Sequence, residues 1–162
     1  MTATRPNVRF LLRHPAHFVA LGFGAGLAPV APGTWGTLLA IPFAAWLQTN
    51  VSPPAYVAVI AGMAAVGVWA AEVTARDLGA TDHGAIVWDE VVAFLLVLFF
   101  VGDDVLRIAF AFLLFRGFDI VKPPPIRQVD ATMHNGVGVM LDDLVAAAYT
   151  LLVLALWQRL AG

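Results

Sequence analysis

The chain contains no cysteine, so disulfides, thiol chemistry and cysteine-ligated zinc are all excluded. Charge is scarce as well. Only 12% of the 162 residues are Asp, Glu, Lys or Arg, against about 25% in an average soluble domain. The net charge is −2, and no basic cluster offers the face that nucleic acid requires. The four histidines form no H-x-x-x-H pair. No repeat, linker or low-complexity segment divides the chain, so residues 1–162 read as a single domain.

Apolar residues take the place of charge. They make up 60% of the chain, and the mean hydropathy of +0.84 makes an integral membrane protein the first expectation. Arg5, Arg9 and Arg13 precede an apolar stretch, as in a signal peptide. That stretch, FVALGFGAGLAPVAPG, is rich in Gly and Pro and merges with the next apolar run, which favours retention over cleavage. Five apolar runs follow: Gly36 to Leu47, Pro54 to Ala71, Gly84 to Val101, Val105 to Phe118 and Val137 to Leu160. They are too long for strands, rich in Ala and Leu, and bounded by Gly, Pro, Asn or Asp, so each predicts a helix. The fold class expected is all-α, a compact bundle of five to six helices around a central one, several of them membrane-spanning.

The run Pro54 to Ala71 is uncharged and just reaches spanning length. Val105 to Phe118 covers only about 21 Å as a helix, short of a hydrocarbon core of about 30 Å. A compact helical protein with one buried helix is the competing reading. If all five runs cross, Arg5, Arg9 and Arg13 hold the N-terminus in the cytoplasm under the positive-inside rule. The inner loops are then Glu72 to Gly84 and Arg116 to Gly136, carrying Arg76, Arg116, Lys122 and Arg127. The outer segments carry only Arg107 and Arg159.

This topology gathers the charged segments on one side. Asp89 and Glu90 lie at the inner end of the third run. Arg116, Asp119 and Lys122 follow the fourth, and Asp142 and Asp143 open the fifth. Acids at helix starts suit the helix dipole, which alone explains Asp142 and Asp143 well enough. It explains five converging carboxylates poorly, because carboxylates beside apolar helices are costly unless paired or bound to a cation. A carboxylate cluster with no Cys and little His suits a hard cation, Mg²⁺ before Ca²⁺. Arg116, Asp119 and Lys122 are spaced three apart and share one helix face, either as an internal ion-pair ladder or as a phosphate site. Pro123, Pro124 and Pro125 then end the helix.

APGTWGT reads as a helix start with Thr34 as cap and with Gly33 allowing close approach to the backbone. GFGAGL lacks the strand context of a dinucleotide motif and reads as tight packing or approach to a ligand. His83 reads first as a loop hydrogen-bonder. His134 and Asn135 are weak candidates for contact with a polar headgroup.

Four blocks, GFGAGLAPVAPGTWGTLLAIP, DHGAIVWDEVVAF, FRGFDIVKPPPIR and HNGVGVMLDDLVA, together resemble the phosphatidylglycerophosphatase A family in order and spacing, from about Leu21 to Ala148. The resemblance implies a Mg²⁺-dependent enzyme that converts phosphatidylglycerol phosphate to phosphatidylglycerol at the bacterial inner membrane, with an all-helical fold around a central helix. It implies that Asp89, Glu90, Arg116, Asp119, Lys122, Asp142 and Asp143 belong to the site, with Thr34 in or near it. Ala25 stands where the family typically has Ser, so that hydroxyl is not essential here. Pro124 stands where an aromatic is common, which puts a stacking role there in doubt.

The expected site has Glu90, Asp119, Asp142 and Asp143 holding one or two Mg²⁺. Arg116, Lys122 and Thr34 hold the phosphate, and Asp89 binds metal or acts as general base. Both water attack and an aspartyl-phosphate intermediate fit this residue set. The lipid bilayer is the expected partner, with the site facing the cytoplasm. A cation-coupled transporter or channel component is the rival reading, and it predicts acids spread through the membrane depth.

Overall fold

A computed structural model describes residues 5–80, 83–133 and 135–161. The described residues contain helices and no strand. In chain order they are α1 (Val8–Leu11), α2 (Pro15–Ala20), a 3₁₀ segment (Gly22–Leu27), α3 (Pro32–Asn50), α4 (Pro53–Leu78), α5 (Trp88–Val101), α6 (Val105–Val121), α7 (Ile126–Thr132) and α8 (Gly136–Ala161). All five apolar runs form helices, as the sequence predicts. The expected all-α bundle around one central helix is therefore the observed architecture.

The boundaries follow local chemistry. Pro53 sits in the first turn of α4, where its missing N–H costs nothing, and Gly79 ends that helix in the left-handed region at φ 68°. Asp104 caps α6 by accepting the Arg107 N–H at 2.7 Å. Gly102 stops α5 after only 14 residues. Three details depart from the sequence reading. Gly84 to Val87 lead into α5 as a turn rather than as helix. The expected inner loop from Glu72 is helical as far as Leu78, because the Ala-rich end of α4 packs on α2. Lastly, α7 restarts directly after the prolines, with Ile126 fully buried.

The centre is α5. A helix that is apolar on every side has to be buried, and Trp88, Asp89, Val91 to Leu95, Val97 and Leu98 all are. It packs mainly against α3 and α8, with α4 and α6 completing the enclosure. Side chains also tie its backbone. Tyr56 donates its hydroxyl to the Leu95 carbonyl at 3.1 Å, and Gln48 donates to the Leu98 carbonyl at 2.9 Å. Trp88 Nε1 donates back to Met63 on α4 at 3.0 Å.

Two of the described helices have the length and apolar composition to cross a membrane, Pro53–Leu78 and Gly136–Leu160. At roughly 1.5 Å per residue the 14 residues of α5 cover only about 21 Å. That helix is the buried core rather than a lipid-facing element.

Candidate active site

Three helices deliver the charged residues to one end of the bundle. The first turn of α5 carries Asp89 and Glu90, the last turns of α6 carry Arg116 and Asp119, and the second turn of α8 carries Asp142 and Asp143. Antiparallel packing brings the starts of α5 and α8 beside the end of α6. Lys122 closes α6 in the left-handed conformation (φ 47°, ψ 63°). It therefore leaves the face of Arg116 and Asp119 that regular helical spacing predicts.

The contacts are specific. Arg116 Nη1 lies 2.6 Å from Asp119 Oδ2 and 3.4 Å from Glu90 Oε1. Lys122 Nζ lies 2.8 Å from Asp142 Oδ2. Asp142 also accepts the Asp143 N–H at 3.0 Å, fixing the two side chains relative to each other. Between these ion pairs, Asp89, Glu90 and Asp143 each present a carboxylate oxygen, all within 4.8 Å of one another. Asp89 and Asp143 have no basic partner among the described residues. Asp89 Oδ1, Glu90 Oε2 and Arg116 Nε are buried without a hydrogen bond. Buried polar atoms are nearly always satisfied, so this group of orphans marks a place prepared for something else.

The start of α3 closes the site. A Cβ on Gly33 would overlap Glu90 Oε1 and stand 3.1 Å from Arg116 Nη1. Only glycine lets the Glu90 carboxylate lie against the helix end, which is the close approach expected of this residue. Thr34 is the next residue and is half-buried. It does not cap the helix, because Ala31 occupies that position at φ 48° and no side chain bonds there. Thr34 lies three residues inside the cap position predicted for it.

The model of the phosphatidylglycerophosphatase A family matches residues 18–158. Phosphatidylglycerophosphatase A of Escherichia coli (strain K12) is 42% identical over 85% of this chain and 80% of its own length. The protein of the same name from Haemophilus influenzae is 40% identical over 94% of each chain. The chain belongs to the phosphatidylglycerophosphatase A family. A relative from Bacteroides thetaiotaomicron, 35% identical over 89% of this chain and 94% of its own, is named for phosphatidylinositol-3-phosphatase activity. No solved structure matches.

Within this member of the phosphatidylglycerophosphatase A family, the residues picked from sequence converge. Asp89, Glu90, Arg116, Asp119, Lys122, Asp142 and Asp143 all meet at one end of the bundle, and Gly33 brings Thr34 to its edge. The donor set is all oxygen, as a hard divalent cation prefers. The two unpartnered carboxylate oxygens, Asp89 Oδ1 and Glu90 Oε2, are what such an ion would satisfy, so the residues fit Mg²⁺.

Other candidates resolve into structural roles. His83 accepts the Ala85 N–H at 3.2 Å through Nδ1, the loop role expected of it. Asn135 caps α8 by accepting the Gly138 N–H at 2.9 Å. His134 lies outside the described residues. Gly22 and Gly26 of GFGAGL serve tight packing, since a Cβ on Gly22 would meet Val87 at 2.8 Å and one on Gly26 would overlap the Ala85 carbonyl. One supporting residue carries no sequence signal. Glu72 on α4 accepts the Gly136 N–H at 2.7 Å, capping from 64 residues away the helix that carries Asp142 and Asp143.

Proposed function

We propose that the protein is a Mg²⁺-dependent lipid phosphatase that hydrolyses phosphatidylglycerol phosphate to phosphatidylglycerol and phosphate. One observation carries this reading. In a chain of the phosphatidylglycerophosphatase A family, the buried carboxylates of Asp89 and Asp143 and the half-buried one of Glu90 converge beside a guanidinium whose Nε–H has no partner.

Asp89, Glu90 and Asp143 are the metal-binding residues. Bound there, Mg²⁺ supplies Lewis-acid neutralisation of the phosphate and lowers the pKa of a bound water. Arg116 directs its open Nε–H at a phosphoryl oxygen. Asp119 holds the guanidinium from behind at 2.6 Å, so the fork is oriented before substrate arrives. Lys122 brings a second positive charge, and Asp142 fixes its position. In this reading Asp119 and Asp142 serve the two cations, whereas the expectation from sequence also gave them to the metal. Thr34 and Gly33 give the substrate a helix N-terminus, where anions are favoured.

The protein acts as a multi-pass protein of the bacterial inner membrane, with the site facing the cytoplasm. The two long apolar helices support this, as do Arg5, Arg9 and Arg13 at the N-terminus. The acyl chains of the substrate then stay in the bilayer while the headgroup reaches the site. The gathering of acids at one end of the bundle speaks against a transporter, which needs them along a path.

The test is phosphate release by purified protein from phosphatidylglycerol phosphate. Release is expected with Mg²⁺ and abolished by EDTA. Asp143→Asn is expected to lower it by at least about 10²-fold. Folded protein that releases no phosphate with Mg²⁺ present refutes the activity, and an undiminished Asp143→Asn variant refutes the site. The name of the Bacteroides relative favours a second substrate, phosphatidylinositol 3-phosphate, for the same assay.

A further inference from the structure

The first 71 residues contain no Asp or Glu; the first acid is Glu72. Their formal charges are Arg5, Arg9 and Arg13, set within nine residues of one another. All three are exposed, and none forms an ion pair among the described residues. The active site uses none of them.

This basic segment is held firmly. Leu11, Ala16 and Ala20 share a buried cluster with Ala70, Ala71 and Ile86. His17 is fully buried beneath it. Its Nδ1 meets the Phe10 carbonyl at 3.0 Å and its Nε2 meets Asp77 at 2.9 Å, while its ring stacks on Phe10 at 4.0 Å. The Phe10 carbonyl accepts and the Asp77 carboxylate accepts, so His17 bolts α1 and α2 to the end of α4. The outer surface of the segment is apolar between its charges: Val8 and Leu12 are 61% and 70% exposed, and Phe18 and Phe23 are exposed too.

The position matters as much as the composition. The segment packs on α4 just where its uncharged run ends at Ala71 and charged residues begin. It is also joined to the site, because Val87, two residues before Asp89, donates its N–H to the Ala20 carbonyl at 2.9 Å. Unpaired arginines interleaved with bulky apolar side chains suit one surroundings, the headgroup layer of an anionic bilayer. An acidic protein surface would leave Val8, Leu12 and Phe18 in water.

We propose that α1 and α2 form a preformed plate that binds the headgroups of bulk anionic phospholipids beside the active site. This holds the site opening at the layer where an anionic lipid monoester presents its phosphate. The proposal rests on the membrane reading above but not on the reaction.

The test is lipid selectivity without turnover. The full chain is reconstituted in zwitterionic bilayers, and spin-labelled phosphatidylglycerol and phosphatidylcholine are compared by electron paramagnetic resonance. Each arginine at a headgroup contact is worth about a fivefold preference for the anionic lipid. The wild type is expected to restrict phosphatidylglycerol more than phosphatidylcholine. Arg5→Gln/Arg9→Gln/Arg13→Gln is expected to remove that preference, as is about 1 M salt, where the Debye length falls to about 3 Å. Equal restriction of the two lipids by the wild type, or a preference unchanged in the triple variant, overturns the proposal alone. A chain that does not enter the bilayer overturns the membrane reading and this proposal together.

Discussion

Gly33→Ala tests the site with the smallest perturbation available, a single methyl group. Gly33 lies in the first turn of α3 with no positive φ, so the backbone accepts alanine without strain. The added Cβ collides with Glu90 Oε1, reaches Glu90 Cδ at 3.0 Å and reaches Arg116 Nη1 at 3.1 Å. What yields is the far end of two side chains rather than a backbone. Overpacking of a core costs about 1–3 kcal/mol, and the low end applies where a flexible carboxylate gives way. Alanine returns up to about 1 kcal/mol over glycine in a helix. The two nearly offset, so the melting temperature is expected to change by no more than a few degrees.

Activity has no such compensation. Glu90 is displaced from Asp89 and Asp143, with which it shares a 4.8 Å cluster, and from Arg116. Misplacement by about 1 Å at a catalytic centre costs on the order of 10²-fold. Phosphate release in Gly33→Ala is therefore expected to fall about a hundredfold in a protein that melts like the wild type. Gly117→Ala is the control. Gly117 neighbours Arg116 in α6, yet a Cβ there meets nothing within 4 Å. That variant is expected to keep wild-type activity and gain up to about 1 kcal/mol of stability. Wild-type turnover in Gly33→Ala would refute the placement of Glu90 in the site.

Two further outcomes follow from the same contacts. Arg116→Lys keeps the charge but loses the fork that spans Glu90 and Asp119; turnover by phosphate release is expected to drop about 10²-fold, with the Mg²⁺ concentration for half-activation little changed. His17→Ala removes a buried ring and its hydrogen bonds to the Phe10 carbonyl and to Asp77, leaving that carbonyl with the Arg13 N–H at 3.2 Å. A cost of about 2–3 kcal/mol lowers the melting temperature by about 4–12 °C in a chain of this size, read by thermal melting.

Much of this fold is legible in the sequence because apolar runs and their stops are local signals. Ser52 with two prolines starts α4, and Asp104 starts α6. The prolines after Lys122 end α6, and each boundary lies within a few residues of its prediction. What escapes has a tertiary cause. Ala31 takes the cap position for which the Thr34 hydroxyl made Thr34 the candidate, and it does so with a left-handed backbone that a β-branched residue rarely adopts. Glu72 looks like an ordinary surface acid until α8 packs across the end of α4 and presents the Gly136 N–H. The restart of helix at Ile126 depends on burial of a side chain that the preceding prolines alone do not predict.

The gathering of these charged residues was legible for the same reason, since acids beside apolar helices must be compensated. Their pairing was not. Arg116 and Asp119 meet at the predicted spacing of three within one helix. Lys122 has the same spacing from Asp119, but its left-handed backbone turns it toward Asp142, 20 residues on. That one conformation decides the electrostatics. Had Lys122 continued the helix, both bases would crowd Asp119 and leave Asp142 beside Asp143. Instead Arg116 lies on Asp119 and more loosely on Glu90, while Lys122 lies on Asp142. Asp89, Glu90 and Asp143 are thereby left as a close carboxylate group that neither Lys122 nor Asp142 enters into. In the proposed reading a compact hard dication would supply the compensating charge through these carboxylate oxygens, which would make the turn at Lys122 as much a part of the metal site as the carboxylates.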